Sequence, residues 1–357
     1  EGEAWRRLRE ALQPPFARDR IVEYADGMVE QIRRRRDHWD PESRIDLAAE
    51  ASHLTLDVLF ETLFGRELEL GGDAEIRTAA DRLQHWFTPT SYPLPTWVPT
   101  LARWRFKRGK RHLQRVAQRL LDATADGPAA NPADADDLLS LLVGLREAGI
   151  GGEALSDERL RDQVVTMIFA GHDTTALALT YTFYLLSNHP EARERVAEEA
   201  AAATADGAPT AADAREMAFT DRVLNEAMRL YPPVYTLFRE PKVDVKLGGY
   251  RIPEGSALMC SQWVVHRSPR WYDDPDSFDP SRWNPERRSQ RPRFAFFPFG
   301  GGPRHCIGKA FSLLEAKLIL AKVCSQYDLA YEGPDLSLRG SLTMHPDHPV
   351  PMRIRER

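Results

Sequence analysis

The stretch from Ser156 to Asn188 does most to limit what this chain can fold into. Its middle, Val164–Leu186, is apolar nearly all round. The helix predicted over about 156–188 therefore runs through the interior rather than across the surface. Ser156 suits the N-cap, Asp157 and Glu158 suit the first turn, and Pro190 closes the far end. His172 and Asp173 interrupt the run, which falls short of the roughly 18 apolar residues a membrane-spanning helix requires.

The rest of the chain reads mostly as helix. Helical periodicity covers about 16–37, 43–64, 74–88, 103–125 and 134–147 before this element, and about 190–205, 219–231 and 307–326 after it. Val243–Leu247, Tyr250–Ile252 and Ser256–Val265 read as short strands between Gly and Pro turns. An irregular stretch rich in Pro and aromatics runs from Ser268 to Pro303, and short strands end the chain. With 357 residues, length alone would allow two domains, but there is no internal repeat, and the Ala/Asp/Pro stretch Asp126–Asp137 reads as a loop. The expected fold class is mainly α with a small β portion, in one domain over residues 1–357. Because the chain opens inside an amphipathic pattern, Glu1 to Leu8, its natural N-terminal segment is expected to be absent, together with any anchor it carries. The net charge of -5 gives no basic face for nucleic acid. Cys260, Cys306 and Cys324 are odd in number, far apart and without a CxxC pair, which argues against a disulfide framework or structural zinc and fits a reducing cytoplasm.

Phe299-Gly300-Gly301-Gly302-Pro303-Arg304-His305-Cys306-Ile307-Gly308 places one cysteine in a Gly-rich loop directly before a helix. Backbone N–H groups and the helix N-terminus there favour a thiolate. Glycines let a flat, bulky partner approach the backbone, and Arg304 suits a carboxylate on it. Three readings compete: a buried Cys acting as a small hydrophobe, a phosphate loop, and an iron-ligating thiolate. The phosphate loop fails, because Gly302 and Gly308 enclose five residues and Ala310 replaces the hydroxyl. This segment resembles the signature of the cytochrome P450 family, in its soluble bacterial or archaeal form, with Phe299, Gly302, Arg304, Cys306 and Gly308 at its fixed positions. The resemblance implies haem b, with Cys306 as its proximal ligand and Arg304 near a propionate.

Further segments follow in the family's order. Ala170-Gly171-His172-Asp173-Thr174-Thr175 reads on its own either as a helix kink against a neighbour or as a local opening that holds water and a hydroxyl. The resemblance gives Thr174 the bound oxygen molecule and gives Asp173 the relay of protons. Glu226 and Arg229, at i and i+3, are by themselves an ordinary helix pair. The resemblance implies that they form a buried network with Arg282. Trp5 and Arg9 share a helix face, which is either plain amphipathicity or, by the resemblance, a propionate contact; Arg239 matches another propionate position. By position, the pocket would take Trp86, Phe87, Phe169, Ala170, Val234, Tyr235, Leu237, Leu342 and Met344. Each of these is equally well ordinary core. Their apolar character points to a fatty acid, terpenoid or carotenoid substrate.

The implied activity is insertion of one oxygen atom from O2 by a monomer. No flavin or iron–sulfur stretch is visible, so electrons are expected from a separate ferredoxin or flavodoxin with its reductase. Arg6, Arg7 and Lys309 either meet such a donor or are plain solvated charge, and the Arg33–Arg36 run reads as a solvated helix face. Two rivals remain: a hydrogen-peroxide-dependent peroxygenase, which in this family tends to lose the acid–alcohol pair, and a non-catalytic haem-thiolate sensor, which has no need of it.

Overall fold

The structure is a computed structural model that describes residues 2–67, 73–84, 98, 100–125, 135–150 and 155–357. In chain order the first half gives α1 (Gly2–Ala11), α2 (Arg18–Glu23), α3 (Ala25–Arg36), β1 (Arg44–Asp46), α4 (Leu47–Leu63), α5 (Asp73–Gln84), α6 (Leu101–Ala125) and α7 (Leu138–Ala148). Then come α8 (Asp157–Asn188), α9 (Pro190–Ala203), α10 (Ala211–Glu216) and α11 (Ala218–Leu230). Strands β2 (Thr236–Arg239), β3 (Val245–Leu247), β4 (Tyr250–Ile252) and β5 (Leu258–Ser261) follow, with α12 (Gln262–His266) and α13 (Pro285–Ser289). The chain closes on α14 (Lys309–Cys324), β6 (Tyr327–Tyr331), β7 (Leu338–Gly340), β8 (Met344–Pro346) and β9 (Pro351–Glu356). This is the expected mainly helical class with small sheets.

The long helix forms as its sequence dictates. Ser156 Oγ accepts the Arg159 N–H at 3.3 Å, and Pro190 opens the next helix. At 32 residues, α8 spans about 48 Å. It is buried against α4, α6, α11 and α14. Gly171 has a packing role: a Cβ there would lie 2.8 Å from Leu59 Cδ1, so any larger residue would make the Leu59 side chain of α4 move. The helix is α-helical without interruption through this point.

Several boundaries differ from the periodicity. The segment 16–37 divides at Tyr24 into α2 and α3. The helix expected from 43 starts at Leu47, because Arg44–Asp46 pairs antiparallel with β9 and Asp46 caps α4 through the Ala48 N–H at 3.2 Å. Ser256–Val265 is strand only to Ser261, whose hydroxyl caps α12. Thr236–Arg239, not anticipated as a strand, pairs antiparallel with β5. The Arg33–Arg36 run is not wholly solvated: Arg35 is largely buried and bridges to Glu50 and Asp57 on α4. β9 lies between β1 and β6 in a three-stranded antiparallel sheet. A contiguous apolar core extends from α2 through α4, α8 and α14 to β9.

Candidate active site

A cavity of about 330 Å³ lies between α8 and the loop before α14. Its α8 wall consists of Met167, Ala170, Gly171, Thr174, Thr175 and Ala178. Those positions recur at spacings of three and four, so they form one helical stripe. Phe299, Gly300, Arg304, Cys306 and Gly308 line the opposite wall, and Val234, Leu237 and Arg239 close one side.

The loop's conformation follows from its glycines. Gly300 and Gly302 sit at φ 71° and 70°, the left-handed region that favours glycine. The loop is closed by the Cys306 N–H, which donates to Phe299 O at 2.9 Å. Gly308 then caps α14, and its N–H points to the Cys306 sulfur. Burial pushes the Cys306 thiol above its ordinary value, while Gly308 N–H, Arg9 and Lys309 favour the thiolate. A metal ion at Sγ would decide that balance for the thiolate.

α1 packs on this loop. Arg9 Nη2 donates to His305 O at 3.0 Å, and the Arg304 guanidinium stacks on the Trp5 ring at 4.2 Å. Arg239 reaches the cavity from β2 and donates to its neighbour Phe238 O at 2.8 Å. Arg239 and Arg304 thus line one thiol-bearing cavity, and Arg9 lies near its thiol. Arg6 and Arg7 pair with Glu3 on the exposed face of α1.

Sequence reasoning misassigned part of the lining. Phe169 is off the α8 stripe, and Met167 takes its place. Tyr235 turns its ring onto Gly340 and donates to Ser341 O at 2.8 Å, so it joins the chain end instead of the cavity. Leu342 sits in an exposed turn, and Met344 is buried beneath the Tyr181 hydroxyl, which donates to its carbonyl. None of these four lines the cavity. Trp86 and Phe87 lie outside the described residues. Gly302 is in the loop but not in the lining.

Glu226, Arg229 and Arg282 form a buried charge network outside the cavity lining. Glu226 accepts Arg229 Nε at 2.9 Å and Nη2 at 2.8 Å, and it accepts Arg282 Nε at 3.3 Å. The same carboxylate also takes the Asp279 N–H at 3.0 Å and Trp283 Nε1 at 2.9 Å. Arg229 caps the carbonyls of His266 and Ser277, and Arg282 caps that of Asp274.

One buried acid was not singled out from sequence. Glu315 on α14 is fully buried, with the Thr175 hydroxyl beside it. Burial raises its carboxyl well above the ordinary value, against a smaller opposing effect of the Thr175 hydroxyl. The fold therefore holds a proton that the unfolded chain releases above about 4.5. Glu315 contributes its full stability below that pH, and the contribution is lost as pH rises towards the folded value. Glu315→Gln, neutral throughout, is accordingly expected to gain thermal stability over the parent as pH rises from about 5 to about 8. Parallel melting curves at both pH values would refute this.

The cytochrome P450 family profile matches residues 1–349. Cyclooctatin synthase of Streptomyces melanosporofaciens is 35% identical over 90% of the chain and 70% of its own length. Pentalenene oxygenase of Streptomyces avermitilis is 34% identical over 98% of the chain and 77% of its own length. The cyclooctat-9-en-7-ol 5-monooxygenase of the former organism is 31% identical over 92% and 71%. The crystal structure of the cytochrome P450DA haem domain superimposes with a TM-score of 0.83 at 27% identity, covering 99% of this chain and 76% of that one. A second P450 crystal structure, CYP102L1, reaches a TM-score of 0.87 over 100% and 83% at 23% identity, a likeness of fold. The family's cofactor is a haem held by a cysteine thiolate. With its helical fold and its cysteine-walled cavity, the chain belongs to the cytochrome P450 family and is a monooxygenase of that family.

Proposed function

We propose that the chain hydroxylates a terpenoid hydrocarbon or a near relative of one, with haem b bound through Cys306. The observation that carries the reading is that Cys306 and Thr174 line facing walls of one mainly apolar cavity. The residues fit the group. A thiol at a helix N-terminus supplies the metal ligand, left-handed glycines leave room for a flat ring, and Arg9, Arg239 and Arg304 suit its two carboxylates. Trp5 holds the Arg304 guanidinium in place. Bound there, the haem supplies oxygen activation.

The remaining tasks belong to the chain. Leu59, Leu63, Met167, Val234 and Leu237 exclude water and orient an apolar substrate without offering it a charge. Thr174 Oγ, which donates to Ala170 O at 2.9 Å, is a hydroxyl able to turn and hold a proton at the cavity surface. Asp173 supplies protons behind it. The printed names of the relatives, cyclooctatin synthase and pentalenene oxygenase, support the terpenoid class over fatty acids.

Electrons come in this reading from a separate ferredoxin or flavodoxin, and Asp173 and Thr174 favour O2 over hydrogen peroxide as the oxidant. The enzyme works as a single-domain monomer in the cytoplasm, where Cys306 serves as the ligand and Cys260 and Cys324 stay unpaired. No helix among the described residues is long and apolar enough to cross a membrane.

Turnover of pentalenene-type hydrocarbons with a ferredoxin system under labelled O2 tests the proposal. Label in the hydroxylated product is expected. Thr174→Ala should divert most reducing equivalents to peroxide while binding substrate as before. Product formed with peroxide but not with the ferredoxin system would overturn the reading.

A further inference from the structure

Asp173 neighbours Thr174 in sequence, yet its carboxylate does not line the cavity. It points instead to the chain end. Asp173 Oδ2 accepts the Thr343 hydroxyl at 2.8 Å and lies 3.4 Å from His345 Nε2. Thr343 Oγ1 is itself 2.9 Å from the same nitrogen. Thr343 and His345 alternate along the strand direction, so both face α8. Tyr181, about two turns further along α8, donates to Met344 O and ties β8 to the helix.

The three side chains run from solvent to the interior. The His345 side chain keeps 20% of its exposure, while Thr343 and Asp173 are buried. The series ends one residue from Thr174. Among the described residues, the groups that face Asp173 include His345 and Thr343 from the chain end, and His172 and Tyr181 from α8 itself. Burial works against the charged carboxylate. The bonds from His345 and Thr343 and the nearby histidines outweigh it and hold the carboxyl below its ordinary value. The resting group is thus a carboxylate able to take a proton.

We infer that His345 is a positioning residue for Asp173, holding its carboxylate on the β8 side and passing it protons from solvent. The inference rests on the reading of Asp173 and Thr174 as the proton-handling pair. In the transfer the Nε2–H bond of the imidazolium breaks and an O–H bond forms on Asp173, directly or through the Thr343 hydroxyl. The imidazole, left with its remaining proton on Nδ1, turns Nε2 to its exposed edge, takes a proton there from hydronium and turns back. One solvent proton enters per transfer, and no electrons move. The relay draws on solvent protons, so proton supply to the Thr174 side falls as pH rises.

The test uses haem-loaded parent enzyme, His345→Gln and Asp173→Asn, with two readouts. The first is the share of reducing equivalents recovered as product, followed from about pH 5 to about pH 8. The second is the infrared titration of the Asp173 carboxyl in the substrate-free protein. In the parent, coupling should fall with rising pH; in His345→Gln the profile should be flat, and the Asp173 midpoint should move up. A parent-like pH profile in His345→Gln overturns the relay, and an unmoved Asp173 midpoint overturns the contact. A merely structural His345 would lower stability and leave both readouts in place. If Asp173→Asn couples like the parent, the underlying assignment of Asp173 fails. If it uncouples while His345→Gln keeps the parent profile, the His345 inference fails alone.

Discussion

Glu226→Ala is expected to destabilise the protein by about 3–5 kcal/mol, which a domain with a total stability of about 5–15 kcal/mol barely survives. Two guanidiniums, Arg229 and Arg282, meet on this one carboxylate, and both arginines are almost fully buried. Removing Glu226 leaves two buried cations without their anion, and it strands the Asp279 N–H and Trp283 Nε1. Arg229 also holds the carbonyls of His266 and Ser277, so the loss reaches the irregular stretch before the Cys306 loop. Glu226→Gln keeps the shape but turns an amide NH2 towards donors, and should fall between the parent and the alanine variant. Denaturant midpoints measure the series. An alanine variant within about 1 kcal/mol of the parent would contradict the account, because surface pairs behave that way and buried ones do not.

Cys306→Ala is expected to abolish turnover while leaving the fold intact. The sulfur is the one metal-binding atom that the loop presents to the cavity, and the loop's closure depends on the backbone bond from Cys306 N–H to Phe299 O. An alanine makes that bond equally well. Helix content and the melting curve should therefore stay close to the parent's, while product formation with the electron donor disappears. Retained turnover would move the ligand role away from Cys306. Loss of turnover with loss of folding would show that the sulfur supports the loop itself.

What the sequence made legible depended on how local the cause was. α8 was readable end to end because Ser156, the apolar middle and Pro190 act within one helix. The Cys306 loop was readable because Gly302, Cys306 and Gly308 serve one turn and one cap. Arg35, Tyr235 and His345 were not, since each is defined by a partner far along the chain: Glu50, Ser341 and Asp173. Strand β2 escaped notice for the same reason, as its register is set by β5 and not by its own pattern. The error at Phe169 was one of phase. A helix turns about 100° per residue, so the stripe holding Ala170, Gly171 and Thr174 extends back to Met167 and misses position 169. The same phase turns Asp173 out of the cavity and towards Thr343 at the chain end. Glu315 gave a signal that could have been weighed: a lone acid within Leu313–Leu320, a segment otherwise mostly apolar.

The most direct test of the central claim is the absorption spectrum of the dithionite-reduced protein under carbon monoxide, recorded for the parent and for Cys306→Ala after expression with haem precursor. The account predicts a strongly red-shifted Soret band in the parent, the mark of thiolate-ligated haem, and its disappearance in the variant. A parent protein that binds haem without that shift, or a variant that keeps it, would contradict Cys306 as the iron's ligand.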